Sequence, residues 1–221
     1  MAVETYIAGM TERHADNMSH SAEGGSPVEQ LRAAGIGAFF RPSQLQEAGL
    51  TRDQLPALVR SGAVERIARG LYRLVEAEAT EHYSLGMACA RVPNSIVCLL
   101  SALRVHGIGT QLPAEVWLAI PHKARKPRLA ELKLRVVRFS GPAWTFGVLD
   151  TAFEGVPARI TSPARTVADC FRFERLVGAE AAVEALQDAL RQRKVTIAEL
   201  SRVAEVLPSR RFSAALNTRL I

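Results

Sequence analysis

Arginine carries the most specific chemistry in this sequence. Between residues 27 and 75 stand Arg32, Arg41, Arg52, Arg60, Arg66, Arg69 and Arg73, against only Glu29, Glu47, Asp53 and Glu65. A guanidinium is a rigid fork of donors that binds a phosphate or a guanine edge through two parallel hydrogen bonds, so a cluster of them suits a nucleic-acid reader. Any one of these arginines, taken alone, is an ordinary solvated surface residue. As a group, Arg52, Gln54, Arg60, Arg66, Arg69, Tyr72 and Arg73 form a candidate DNA-binding set. A second concentration lies in residues 122–138, where seven lysines and arginines face Glu131 alone. Lys123, Arg125, Lys126, Arg128, Lys133 and Arg135 there make a candidate basic docking surface, for nucleic acid or for an acidic partner protein. An exposed, solvated loop fits the same residues, and their spacing does not select among the three.

Residue types that could do covalent or metal chemistry are scattered. His14, His20, His82, His106 and His122 are not paired at ligand spacing, and no GxSxG, P-loop or GxGxxG is present. Asp150, Glu154 and Asp169 lack the spacing of nuclease carboxylates; the first two fall in a loop-like segment and the third in a helix. His106, ahead of Gly107, fits a helix C-terminus, where a cation meets the negative end of the dipole. Cys89, Cys98 and Cys170 are odd in number and embedded among apolar neighbours, as buried free thiols are. The expectation is a protein that is not an enzyme, with no catalytic site, metal or cofactor.

A chain of 221 residues has room for one large domain or two small ones, and its 48% hydrophobic and 23% charged residues match a soluble globular protein. Apolar runs near 96–103 and 116–120 are too short to span a bilayer, so no membrane role is expected. Glu4, Glu12 and Asp16 interrupt the stretch where a signal peptide needs an apolar core, which points to the cytoplasm. The net charge of +6 is compatible with a polyanionic partner.

The elements that must position these arginines are legible in order. Residues 1–26 read as a flexible leader, with the small, glycine-rich "SHSAEGGSP" of 19–27 as the linker and at most a weak helix through Val3, Ile7 and Met10. "VEQLRAAGIG" makes a short helix on Val28, Leu31 and Ala34, and "AFFRP" a short extended run. "PSQLQEAGL" gives two helical turns on Leu45 and Ala48. A Thr51–Gln54 capping box then starts a third helix near Arg52, with Leu55, Leu58 and Val59 facing inward and Pro56 as an awkward interior residue. "AVERI" and "LYRL" flank a turn as a hairpin. Three helices followed by a hairpin is the winged helix-turn-helix pattern, whose third helix enters the major groove.

Residues 77–221 have a different character. "TEHYSLGMACARV" and "SIVCLLSALRVHG" read as helices, "EVWLAIP" as a buried strand, and "LKLRVVRF" as a strand in a sheet with one basic face. "VPARIT" reads as a strand before a helix capped by Ser162 with Pro163 behind it, and the chain finishes as helices. The fold class is therefore α+β: a winged helix-turn-helix in 27–76, then a mixed α/β domain in 77–221.

The order G-L-T-x-x-x-L-x-x-L-V-x-x-G-x-V-E-R-I-x-R-G-L-Y-R-L in residues 49–74 and the later "VPARITSPARTVADC" in 156–170 resemble the AbiEi-type antitoxins of bacterial type IV toxin-antitoxin systems, with "SALRVHGI" in support. The resemblance covers roughly residues 28–207. It implies a repressor of its own operon that binds inverted repeats as operator DNA, and an antitoxin domain that counteracts a nucleotidyltransferase-like toxin. It places Arg52, Gln54 and Arg60 in the recognition helix, and Arg66, Arg69, Tyr72 and Arg73 in the wing. A homodimer on DNA fits two half-sites. The alternative is a transcription regulator whose C-terminal domain binds a small ligand.

Overall fold

The computed structural model describes residues 25–77 and 80–218, so the expected leader, apart from Gly25 and Ser26, lies outside the described residues. Ser26 opens the first helix, α1 (Pro27–Ala33): its hydroxyl accepts the Glu29 amide at 3.3 Å while the Glu29 carboxylate accepts the Ser26 amide at 2.6 Å. Two helix-terminal amides are thereby satisfied. A two-residue strand, β1 (Phe39–Phe40), follows, then two 3-10 segments, Pro42–Ala48 and Arg52–Gln54. The second runs directly into α2 (Leu55–Arg60), after which β2 (Val64–Ala68) and β3 (Leu71–Leu74) form an antiparallel hairpin. This is the element order of a winged helix-turn-helix.

By packing, the described residues up to Ile36 together with Arg41–Glu76 form one compact unit, and Gly37–Phe40 with the chain from Ala77 onward form another. In the first unit Leu31, Leu45, Leu50, Leu55, Leu58, Val64, Leu71 and Leu74 are buried. Of the apolar residues expected on these short elements, Val28, Ala34 and Ala48 are only half-buried and Val59 is 38% exposed. Leu55 and Leu58 already fill the inward side of a helix only six residues long.

The second unit is built on a five-stranded mixed sheet in the order β6-β5-β4-β8-β7. Its elements are α3 (Tyr83–Arg91), β4 (Ile96–Val97), α4 (Leu99–His106), β5 (Val116–Pro121), β6 (Leu134–Phe139), β7 (Val148–Phe153), β8 (Val156–Thr161), α5 (Pro163–Arg172), α6 (Glu174–Val177), α7 (Ala179–Arg191), α8 (Ile197–Val206) and α9 (Arg210–Asn217). The run expected as one helix from Ser95 is divided. Ile96 and Val97 pair antiparallel with β5 and parallel with β8 at the centre of the sheet, and the helix begins only at Leu99. A run buried on all sides shows neither a period of 2 nor one of 3.6, so its pattern could not divide it. Helices α4, α5, α7 and α8 enclose a core with Leu99, Leu103, Val167, Leu186 and Leu200, each fully buried. Segment 37–40 joins this unit through the Phe39 amide, which donates to the Glu154 carbonyl at 3.2 Å, and through the Phe39 ring, 5.1 Å from that of Tyr83. A side chain on Gly37 would put its Cβ 2.5 Å from that same carbonyl oxygen, so the approach requires glycine.

Candidate nucleic-acid interface

Arg52, Gln54 and Arg60 are all exposed. Leu55 and Leu58 turn inward, so Pro56 and Arg60, one helical turn apart, share the outward side with Val59. Pro56 does not break the helix. It lies in the first turn of α2, where a backbone N–H has no intrahelical acceptor to lose. The strain expected of an interior proline is avoided because Arg52–Gln54 winds as a 3-10 turn and the α-helix starts afresh at Leu55. The side-chain oxygen of Gln54 accepts the Thr51 amide at 2.8 Å, which leaves its NH2 group to face a ligand.

The hairpin distributes the other candidates unequally. In its register Glu65 lies opposite Arg73 and Arg66 opposite Tyr72, with an irregularity between Arg66 and Ala68 where Ile67 is inserted. Arg73 is half-buried and pairs with Glu65 at 3.8 Å, so it is engaged within the wing. Arg66 is exposed beside half-buried Tyr72, and Arg69 is exposed at the tip, in a turn made possible by Gly70 at φ +70°. Because neighbouring register positions point to opposite faces, Arg66 and Tyr72 share one face while Arg73 occupies the other. The exposed candidates on helix and wing are Arg52, Gln54, Arg60, Arg66 and Arg69, and Tyr72 is half-buried opposite Arg66.

The basic docking residues also separate. Lys123, Arg125, Lys126 and Arg128 are exposed in the β5–β6 connection and make no ion pair among the described residues. Arg125, Lys126 and Arg128, with Pro127, line one open concavity of about 550 Å³. Arg138 holds the start of this loop, donating to the carbonyls of Pro121, at 3.2 Å, of His122, and of Ala124, at 2.8 Å. Arg135 belongs to a different arrangement: it pairs with Glu115 at 3.1 Å and lies over the Trp117 ring, 5.4 Å from its centre. Lys133 is exposed just ahead of β6. The sheet does not have the single basic face expected. Arg135 alternates with Val136 and Arg138 but shares its face with buried Val137 and Phe139.

The imagined nuclease carboxylates do not converge. Asp150 lies within β7, in a strand rather than the expected loop; Glu154 caps the β7–β8 turn and its carboxylate takes the Thr80 hydroxyl; Asp169 is fully buried in α5. Among the described residues, no group of three His, Cys, Asp or Glu could hold a metal ion. His106 is the last residue of α4, as expected, but its surroundings disfavour the cation that would meet the dipole. Burial lowers its pKa, and its Nε2 donates to the Thr161 carbonyl at 2.7 Å, while Lys194 donates to the exposed carbonyls of His106 and, at 2.7 Å, of Gly107. All three cysteines are buried, and burial pushes the Cys89 thiol up to about 12.

A charged cluster absent from the expected set lies inside the second unit. Arg165, fully buried, donates to Asp169 at 2.7 Å, to the Phe146 carbonyl at 2.6 Å and to the Ala143 carbonyl at 3.1 Å; Arg172 donates to the other Asp169 oxygen at 2.8 Å. Burial raises the Asp169 pKa, and the two guanidiniums pull it back toward the ionised form. The visible signal was the i, i+4 spacing of Arg165 and Asp169 inside the "SPARTVADC" stretch.

Residues 28–75 match the family model described as transcriptional regulator, AbiEi antitoxin. That segment contains the helix and hairpin that carry the exposed arginines. The crystal structure of the RV2827C protein from Mycobacterium tuberculosis is similar to this chain, with a TM-score of 0.54 at 19% identity, over 86% of this chain and 75% of that one. The likeness is one of fold. No curated protein matches the sequence.

Proposed function

We propose that this protein, whose residues 28–75 match the family model of AbiEi antitoxin transcriptional regulators, represses its own operon by binding inverted repeats in promoter DNA and, through residues 77–221, counteracts a nucleotidyltransferase-like toxin in the cytoplasm. The observation that carries the DNA-binding half is the set of exposed arginines on α2, its 3-10 lead and the hairpin, raised above a small apolar core. In this reading Arg52 and Arg60 reach into the major groove with Gln54 between them, and Arg66 and Arg69, with Tyr72, follow the adjoining backbone. Arg73 supports the wing through Glu65. A second copy on the other half-repeat supplies the base pairs that one short helix cannot cover.

Each guanidinium lost from a bidentate guanine contact costs about 1–3 kcal/mol, and each lost from a phosphate lowers the salt slope of binding by about 0.9. Arg52→Ala and Arg60→Ala are therefore expected to weaken binding to the protein's own promoter fragment, titrated at several salt concentrations. Unchanged affinity in both would remove α2 from the interface. The antitoxin half is tested by growth: the gene beside this one is expressed alone, then with the full chain. Rescue that survives Arg52→Ala/Arg60→Ala but fails after Lys123, Arg125, Lys126 and Arg128 are changed to Ala would assign the basic loop to neutralisation. Rescue by both variants would clear that loop of the role.

A further inference from the structure

The second unit has another basic concavity, chemically unlike the β5–β6 loop. It lies where the end of α5 and α6 meet the start of α9, and its volume is about 500 Å³, within the range of small-molecule sites. Arg172, Arg175, Arg210 and Arg211 line it, together with Glu174, with Ser209, whose hydroxyl caps α9, and with half-buried Phe173, over whose ring the Arg172 guanidinium lies at 5.9 Å. Two of the four guanidiniums are held in place. Arg172 is oriented by fully buried Asp169 at 2.8 Å, and Arg211 by Glu174 at 2.6 Å. Arg175 and Arg210 are exposed and make no ion pair among the described residues. Arg175 and Arg210 are thus the two lining guanidiniums with no carboxylate partner among the described residues, since Asp169 is shared between Arg172 and Arg165 and Glu174 is taken by Arg211.

Two oriented guanidiniums, two without a carboxylate partner and an aromatic ring suit a ligand with a dianionic end and a flat apolar part. The β5–β6 loop has the cations without the ring: no phenylalanine, tyrosine or tryptophan falls within 122–138. A phosphomonoester supplies the dianion and matches the guanidinium fork; a nucleobase supplies a face to lie on Phe173. We propose that this concavity is a binding site for a free nucleoside monophosphate, with Arg175 and Arg210 as its phosphate contacts, Arg172 as a fixed third donor and Phe173 as the stacking surface. The site is separate from the DNA-reading arginines and does not depend on the antitoxin assignment.

Calorimetric titration of the full-length protein with AMP, adenosine and inorganic phosphate tests it. AMP is expected to bind saturably. Arg175→Gln/Arg210→Gln, which alters only exposed side chains, is expected to weaken it about tenfold or more, as loss of charge-assisted hydrogen bonds does. Changing Lys123, Arg125, Lys126 and Arg128 to Ala should leave AMP binding as it is. Phe173→Leu should bring AMP down toward inorganic phosphate. No saturable AMP binding, or equal affinity in the Arg175→Gln/Arg210→Gln protein, would overturn the site. Phosphate binding as well as AMP would overturn the nucleoside part, and a 5′-phosphorylated oligonucleotide binding more tightly than AMP would assign the cleft to nucleic-acid ends instead.

Discussion

Asp169 illustrates what one buried charge demands. Its two oxygens are taken by Arg165 and Arg172, and Arg165 carries the connection on to the carbonyls of Ala143 and Phe146, with its guanidinium 4.9 Å above the Phe139 ring. Removing one partner strands the other in a dry interior, which costs about 3–5 kcal/mol, whereas an exposed pair is worth well under about 1 kcal/mol. Asp169→Ala should therefore lower the denaturant midpoint severely, while Glu76→Ala, which removes the carboxylate 3.5 Å from exposed Arg32, should barely move it. Comparable costs for the two would mean that Asp169 is not the centre of a closed network. His106 makes a prediction of a different kind. Burial holds its pKa below the ordinary value of 6.5, so the unfolded chain takes up a proton more readily than the folded one. Its contribution to stability is complete above pH 6.5 and is lost as the pH falls through the folded pKa. Denaturation midpoints measured from pH 7.5 down to about 5 should decline less steeply in His106→Gln than in the parent protein.

Among the elements, the hairpin separates binding from support. Arg66 and Arg69 are free to meet a phosphate, whereas Arg73 is spent on Glu65. Arg66→Ala/Arg69→Ala should thus reduce the salt slope of promoter binding by about 2 with little change in stability, and Glu65→Ala should not reduce it. An equal slope in the Arg66→Ala/Arg69→Ala protein would take the wing off the DNA backbone. Where short elements were legible, local chemistry bounds them: Thr51 with Gln54 ahead of Arg52, as Ser162 with Pro163 bounds α5. Legibility failed where pairing across the chain decides the conformation. Ile96 and Val97 are a strand because β5 and β8 flank them, and Asp150 is in a strand because β8 lies beside it. The arginines of the candidate interface were visible by type; that Arg73, Arg135 and Arg138 are each engaged within the protein depended on Glu65, on Glu115 and Trp117, and on three loop carbonyls, none of which spacing alone assigns.

At the scale of the whole molecule, sequence order and packing disagree over four residues. A cut at residue 77 looks natural from the sequence, yet Gly37–Phe40 packs with the second unit, and Phe39 and Phe40 are each only 1% exposed. Truncating a buried phenylalanine to alanine costs about 3–5 kcal/mol through lost transfer energy and the cavity left behind. A fragment beginning at residue 77 lacks Phe39 altogether, so its failure to rescue growth would report on folding as much as on function, and the full chain carrying Arg52→Ala/Arg60→Ala is the sounder vehicle. The composition offers a direct check. Both tryptophans, Trp117 and Trp144, lie in the second unit, so tryptophan fluorescence follows that unit alone. Phe39→Ala in the full chain should shift the fluorescence-detected urea transition to lower urea, although residue 39 stands among the elements of the first unit in sequence. If the transition stays in place, segment 37–40 contributes nothing to the stability of the second unit, and the fragment from residue 77 becomes a fair test of its activity.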